Sequence, residues 1–237
     1  MVGMLRARFE MQNAVREKVL EFEQNTRRQS LGKSFYKTIK RLFDICASLI
    51  ALILLSPVLL IISVIVYLGD PGPVIYGQIR IGKNGKPFKM WKFRSMYMNA
   101  DKMIDQLTPE QKKQYYTEFK IDNDPRITKV GNLLRKTSLD ELPQLFNVLF
   151  NDMSLVGPRP LIESEIQMYY SDYYDVLLSV KPGVTGYWQA YARNNATYQS
   201  GERQQMEIYY VHHASIWLDI KILFKTVITV LKREGAQ

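Results

Sequence analysis

The sharpest break in the hydrophobic pattern comes at residues 45 to 68. ICASLIALILLSPVLLIISVIVYL runs for 24 residues without a charge, long enough as a helix to cross a hydrocarbon core of about 30 Å. It starts too far into the chain and runs too long for a signal peptide. Ahead of it, residues 4 to 25 are charged and helix-prone, with Leu5, Phe9, Val15, Val19, Leu20 and Phe22 in a loose apolar stripe. That pattern suits a surface helix or pairing with a second chain. Behind it, Asp70-Pro71-Gly72-Pro73 is a breaker. VIYGQIRIG and KPFKMWKF then flank Asn84-Gly85, which predicts a β-hairpin.

Farther on, residues 99 to 119 predict a polar helix that restarts at Thr108-Pro109, and residues 139 to 150 a short buried one. Residues 161 to 180 predict an amphipathic, tyrosine-rich helix ended by Lys181-Pro182-Gly183. In the last segment, Ile216, Trp217, Ile220, Leu223, Phe224, Val227 and Leu231 alternate with lysines. This pattern fits a core helix and a membrane-interface helix equally. The expected fold is α+β and mostly helical, in three parts: a helical leader (1–36), a membrane segment (37–69) and a domain over 70–237.

Charge changes the picture of the membrane segment. Arg27, Arg28, Lys33, Lys37, Lys40 and Arg41 precede it, and Arg80, Lys83, Lys86, Lys89, Lys92 and Arg94 follow, with no acid inside either run. Basic flanks stay on the cytoplasmic side. Ser56-Pro57 lies mid-segment, where proline removes a backbone hydrogen bond and kinks the helix. A re-entrant hairpin that bends at Ser56-Pro57 and returns to the same face satisfies both flanks, and a full span does not. Ser56 is placed to satisfy a freed carbonyl.

The net charge of +9 points to an anionic partner: nucleic acid, lipid headgroups or phosphorylated metabolites. One cysteine, Cys46, excludes a disulfide framework and a cysteine-built metal site, and reads as an inert buried thiol. Only His212 and His213 are available as histidine ligands. They are adjacent, point to different sides, and read as surface or packing residues.

Glycine-rich nucleotide loops and a G-x-S-x-G elbow are absent. Asn195-Ala196-Thr197 matches a glycosylation sequon, too short a motif to carry weight. What remains is a series of stiff turns carrying arginine: Asp124-Pro125-Arg126, Gly157-Pro158-Arg159-Pro160, Lys181-Pro182-Gly183-Val184-Thr185-Gly186 and Arg193-Asn194-Asn195. Among them stands RKTSLDELPQLFNVL, with Asp140 and Glu141 side by side before an apolar segment. Ser138-x-x-Glu141 fits a capping box, and Pro143 is tolerated in a first turn. Fixed guanidinium forks and a helix N-terminus together suit phosphate oxygens. Each turn also has a purely structural reading.

In order, KRLFDI, the Ser-Pro membrane segment, GPVIYGQIRIGKNGKPFKMWKFRSM, DPRITKVGNLLRKTSLDELPQLFNVL, DMSLVGPRP and KPGVTGYWQ resemble the bacterial sugar transferase family. These are the monotopic polyprenyl-phosphate phosphoglycosyl transferases. The resemblance covers about residues 37 to 233 and fits the small catalytic form. It implies transfer of sugar-1-phosphate from a UDP-sugar to polyprenyl (undecaprenyl) phosphate with release of UMP. That would be a first membrane step of exopolysaccharide, capsule, O-antigen or glycoprotein glycan assembly, on the cytoplasmic face of the bacterial inner membrane.

By the same resemblance Asp140 is the nucleophile and Glu141 the assisting base or metal ligand, with Mg²⁺ held by the pair. Lys92, Arg94, Arg135, Arg159, Arg193 and Asp219 are candidate substrate contacts. Tyr187-Trp188 and Tyr191-Ala192 replace the family's usual small residues, which bears on the sugar or base contacts. A carboxylate at a helix N-terminus beside arginines is expected to be held ionised. The implied partners are the UDP-sugar, the polyprenyl phosphate and the lipid bilayer, and the leader could support a homodimer. Two other classes fit the composition: a non-catalytic membrane scaffold, and a nucleic-acid binder, against which the missing groove-reading motif counts.

Overall fold

The computed structural model describes residues 2–118, 121, 123–192 and 198–231; for residues 2–31, 33, 118, 230 and 231 it describes the backbone alone. The chain divides into two compact units, Met1–Phe43 and Asp44–Gln237. Helix α1 runs from Val2 to Gly69. Its part from Ser34 is long and apolar enough to cross a membrane, and little of that surface is covered by protein. Leu49, Ile53, Leu54, Leu60, Ile61 and Leu68 are all exposed. Cys46 is exposed too, a correction to the buried thiol expected: it lies off the stripe that packs inward.

Pro57 lies within α1. Proline there deprives the carbonyl of Ile53, four residues back, of its usual donor. The Ser56 hydroxyl donates to that same Ile53 carbonyl at 2.8 Å, so the lost bond is replaced from the adjacent side chain.

The hairpin forms as the pattern dictates. Strand β1 (Ile75–Ile81) pairs antiparallel with β2 (Pro87–Phe93), and the turn uses positive φ at Asn84 (58°) and Gly85 (73°). Of the polar helix expected over 99–119, residues before Thr108 form turns and a 3₁₀ stretch at Lys102–Gln106 instead, and α2 (Pro109–Glu118) starts where Thr108-Pro109 predicts it. Helix α3 (Lys129–Thr137) is capped by Thr128, whose hydroxyl accepts the Gly131 N–H at 2.8 Å. Then come a 3₁₀ turn at Leu139–Glu141, α4 (Gln144–Leu149) and strand β3 (Ser154–Val156). Next are α5 (Glu163–Tyr169), α6 (Tyr174–Leu177) and β4 (Gly183–Thr185), which lies parallel to β3. Helices α7 (Tyr187–Tyr191), α8 (Glu202–His213) and α9 (Ile216–Leu231) complete the chain.

Three expectations change. The capping box does not form: Ser138 sits at φ 57°, ending α3 in the left-handed region, and makes no side-chain cap bond. An N-cap needs extended backbone at that residue. The helix expected over 161–180 is broken, because Tyr170 leaves helical geometry (φ −132°) as its ring enters the core fully buried. The β3–β4 pair lies in loops the sequence presents as glycine and proline punctuation. There the backbones of Gly157, Gly183 and Gly186 approach so closely that a Cβ at any of them would collide with the facing main chain.

Helix α9 has both faces that the sequence allowed. Ile222 is fully buried against Val156, Ala190 and Tyr210, while Trp217 and Phe224 are more than two-thirds exposed, beside exposed Ile220 and Val227. His213 stacks on Tyr209 and, like His212, lies at the surface.

Candidate active site

The acidic pair occupies the tight turn between α3 and α4, and its position is fixed from three sides. Leu139 and Leu142, which bracket the pair, pack with Phe93, Leu134, Ile62 and Val66. Below them Asn147, fully buried on α4, accepts the Trp91 N–H at 2.9 Å and donates to the Lys89 carbonyl at 2.8 Å. An amide side chain thus pairs with the open edge of β2 as a neighbouring strand would. One residue past that contact, Lys92 reaches Glu141 with 2.7 Å between Nζ and Oε1.

Asp140 is buried (6% exposed). Burial pushes its carboxyl above the usual range; Lys92 opposes this, the adjacent Glu141 adds to it, and Arg135 opposes it. The cations expected to favour its ionised form therefore work against burial. Lys92 and Arg135 do not fully offset the desolvation of Asp140 and the negative charge of its neighbour. Arg135 is itself lowered, first by burial, with Asp140 and Asp124 acting the other way, and its Nε donates to the Ser95 hydroxyl at 2.9 Å.

Arg159 joins the same field. Burial would lower it, but Glu165, Glu141, Tyr198 and Glu207 prevail and raise it. Its backbone N–H lies 3.3 Å from both carboxylate oxygens of Glu207 on α8. Glu165 anchors the other side. It accepts from Arg80 Nη1 (2.8 Å), the Ile162 N–H (2.9 Å) and the Tyr198 hydroxyl (3.0 Å). The structure therefore brings Lys92, Arg135 and Arg159 into electrostatic reach of Asp140 and Glu141.

Other candidates lie elsewhere. Arg94 is buried, bonded to the Asp70 carbonyl and 3.8 Å from its carboxylate, where it braces the Asp70–Pro73 breaker. Asp219 takes a 2.7 Å contact from the Tyr210 hydroxyl, which also lies 3.1 Å from the Val156 carbonyl. This bond ties α8 to α9. Arg193 and the Asn195 sequon lie outside the described residues. The Arg126 fork is turned onto its own turn, with Nη2 2.7 Å from Asp124 and the guanidinium over Tyr115.

Sequence reasoning missed Asn147, Glu165, Glu207 and Asp44. Only Asp44 carried a signal, as the sole acid between Glu23 and Asp70.

The site's architecture is a paired carboxylate under three cations, next to a helix with a bare apolar surface. A family model described as bacterial sugar transferase matches residues 35–233. The chain belongs to the bacterial sugar transferase family. Among family relatives, it is 47% identical over 210 residues to the undecaprenyl-phosphate galactose phosphotransferase of Salmonella typhimurium, covering 87% of this chain and 43% of that protein. It is 44% identical over 197 residues to the UDP-glucose:undecaprenyl-phosphate glucose-1-phosphate transferase of Escherichia coli, covering 81% and 40%. Over 200 residues it is 42% identical to the exopolysaccharide production protein ExoY of Rhizobium meliloti, covering 83% and 87%. The chain spans less than half the length of the Salmonella and E. coli relatives and most of the Rhizobium one.

The residues of this sugar transferase suit a magnesium ion by their chemistry. Mg²⁺ binds through one or two carboxylates together with substrate phosphate oxygens. Adjacent Asp140, buried, and Glu141, partly exposed, offer that donor set, and a divalent cation opposes the burial and the neighbouring negative charge that raise Asp140. Among the described residues no group of three or more acidic, histidine or cysteine side chains offers an all-protein cage.

Proposed function

We propose that this chain is a membrane-associated phosphoglycosyl transferase that moves sugar-1-phosphate from a UDP-sugar to polyprenyl phosphate. The observation that carries this reading is the placement of buried Asp140 beside Glu141 within the field of Lys92, Arg135 and Arg159. An oxygen of Asp140 attacks the β-phosphorus of the UDP-sugar, the bond to the bridging oxygen breaks, and UMP leaves. The aspartyl phospho-sugar is then attacked at the same phosphorus by a phosphate oxygen of the lipid, which frees Asp140 and yields a polyprenyl diphosphate sugar. Splitting one displacement into two lowers each barrier. The cations neutralise charge developing on the transferred phosphoryl group. When bound, Mg²⁺ would add Lewis-acid stabilisation to the diphosphate oxygens; Asp140 and Glu141 would hold it.

The same reading places the enzyme on the cytoplasmic face of a bacterial inner membrane, through a re-entrant segment. Asp44 and Val66 are separated by roughly 33 Å of helix at 1.5 Å per residue. Both nevertheless pack on one catalytic unit: Asp44 against Leu155, Val66 against Phe93 and Leu134. The two basic flanks support a return to the same face, and contacts before and after Pro57 keep the segment beside that unit. Labelling of single cysteines at Lys37 and Gly82 from outside intact cells should fail at both; labelling at one alone would mean a full span.

The transferase reading is tested with purified protein, Mg²⁺, polyprenyl phosphate and a panel of UDP-sugars. At least one sugar is expected to release UMP, and Asp140→Asn is expected to abolish both turnover and the trappable sugar-phosphate adduct. Turnover by Asp140→Asn would remove the nucleophile assignment. No UMP from any sugar would favour a non-catalytic scaffold.

A further inference from the structure

Asp44 is 3% exposed and stands one residue before the uncharged stretch of α1. Its Oδ1 accepts the Leu155 N–H at 3.0 Å. Leu155 is the middle residue of β3. Beside it, the N–H of Ser154 goes to the Pro182 carbonyl of the β4 side at 2.9 Å. Successive N–H groups of a strand point to opposite edges, so the Leu155 amide projects away from β4, where a donor shielded from water must find an acceptor. The acceptor is supplied by the membrane helix.

The contact continues along α1. Ser48 and Leu52, one and two turns on from Asp44, are buried as well. Beyond Pro57 the same helix packs Leu59, Ile62 and Val66 against the group that contains Leu139 and Leu142. One arm of the segment therefore holds the strand that leads into Pro158-Arg159-Pro160, and the other holds the turn that carries Asp140 and Glu141. The strand is rigid enough to transmit that placement, because Gly183 N–H bonds to the Pro158 carbonyl at 2.8 Å and the glycine backbones leave no slack.

We propose that Asp44 is a positioning residue, fixing β3 and through it Arg159 in register with the acidic turn held by the second arm of the same helix. The proposal rests on the transferase reading for its kinetic consequence, but the contact itself can be tested without turnover. What Asp44 supplies is an acceptor of the right reach, so asparagine serves and alanine does not.

The experiment uses the full chain in detergent or nanodiscs. It compares Asp44→Ala, Asp44→Asn, Arg159→Ala and the Asp44→Ala/Arg159→Ala double variant, with a UDP-sugar that the unaltered protein turns over. Asp44→Asn is expected to stay within about threefold of the starting kcat/KM. Asp44→Ala is expected to lose about tenfold or more, since displacements near 1 Å carry costs of that size or larger. If Asp44 acts through Arg159, its removal costs less than about twofold once Arg159 is gone. Equal costs in the two backgrounds, or Asp44→Ala at full activity, overturn the proposal.

Amide hydrogen exchange of the peptide containing Leu155 is read in parallel. Protection should fall in Asp44→Ala and persist in Asp44→Asn, and equal protection in all forms overturns the contact. Should Asp44→Ala fail to accumulate, Asp44→Ser, too short to reach the amide, takes its place in both measurements. Absence of turnover in the unaltered protein counts against the transferase reading, whereas the exchange result judges Asp44 alone.

Discussion

Lys92 Nζ and Glu141 Oε1 lie 2.7 Å apart, joining the hairpin to the turn that holds the acidic pair. Both side chains are about one-quarter exposed or less, so the bond is only partly screened by water. It fixes the rotamer of Glu141, and Lys92 is also the strongest charge opposing the upward push on Asp140.

Replacing Lys92 by methionine keeps the stem and removes the charge. The expected outcome is a fall in kcat of about a hundredfold, in the range seen when one stabilising donor is lost from a reacting centre. A smaller change in thermal stability is expected alongside it. UMP release and a melting curve on one preparation separate the two effects.

Asn147 predicts the reverse balance. Asn147→Leu removes both bonds to β2 and leaves the Trp91 N–H and Lys89 carbonyl without them. An unsatisfied backbone group costs about 1–3 kcal/mol when fully buried and less where, as here, it is part-buried, so a drop in melting temperature is expected. Activity should fall as well, because α4 no longer holds the acidic turn against Lys92.

Ser56 and Pro57 are expected to be coupled. With Pro57 present, Ser56→Ala orphans the Ile53 carbonyl at a cost of about 1 kcal/mol. With Pro57→Ala, the restored amide serves that carbonyl, and Ser56→Ala should then cost almost nothing. Chemical or thermal denaturation of the four proteins in one detergent measures the cycle; additive effects would mean the hydroxyl does not replace the missing bond.

Glu207 should make stability depend on pH. Burial pushes its carboxyl up to about 7 from an ordinary 4.5, with Arg203 and the Arg159 amide opposing. Between those values the folded chain keeps a proton that the unfolded chain releases, so stability declines as pH rises through the window and the loss is complete above about 7. The slope approaches 1.4 kcal/mol per pH unit. Glu207→Gln keeps an acceptor for Arg159 and removes the titration. Its melting temperature should gain on the unaltered protein from pH 5 to about pH 7 and the gain should level off above that; parallel curves would contradict this.

Long regular patterns were legible from residues alone. The uncharged 24-residue stretch, the Asn84-Gly85 hairpin and the restart at Thr108-Pro109 all announce their elements locally. The Ser138 capping box shows where local reading fails: one serine could end α3 or start the next turn, and packing of Leu134 and Leu139 into one cluster favours the first. Asn147 and Glu207 were invisible for a related reason. A buried polar side chain is defined by what faces it, here β2 and the Arg159 loop, and neither is near it in sequence.

The acidic pair itself was legible only through the run of motifs around it. Its surroundings then divided the arginines: Arg135 and Arg159 act electrostatically on the pair, while Arg94 and Arg126 brace turns.

Gly157, Gly183 and Gly186 carry a consequence for engineering the proposed sugar transfer. Two main chains in direct contact form a plate with no adjustable thickness, so diversity in a mutant library placed at those positions would be wasted on misfolded members. Under the proposed function, variation aimed at recognition while sparing that plate belongs at Tyr187 and Tyr191, whose rings pack on each other, and that of Tyr187 also on Tyr209, rather than on the glycine backbones.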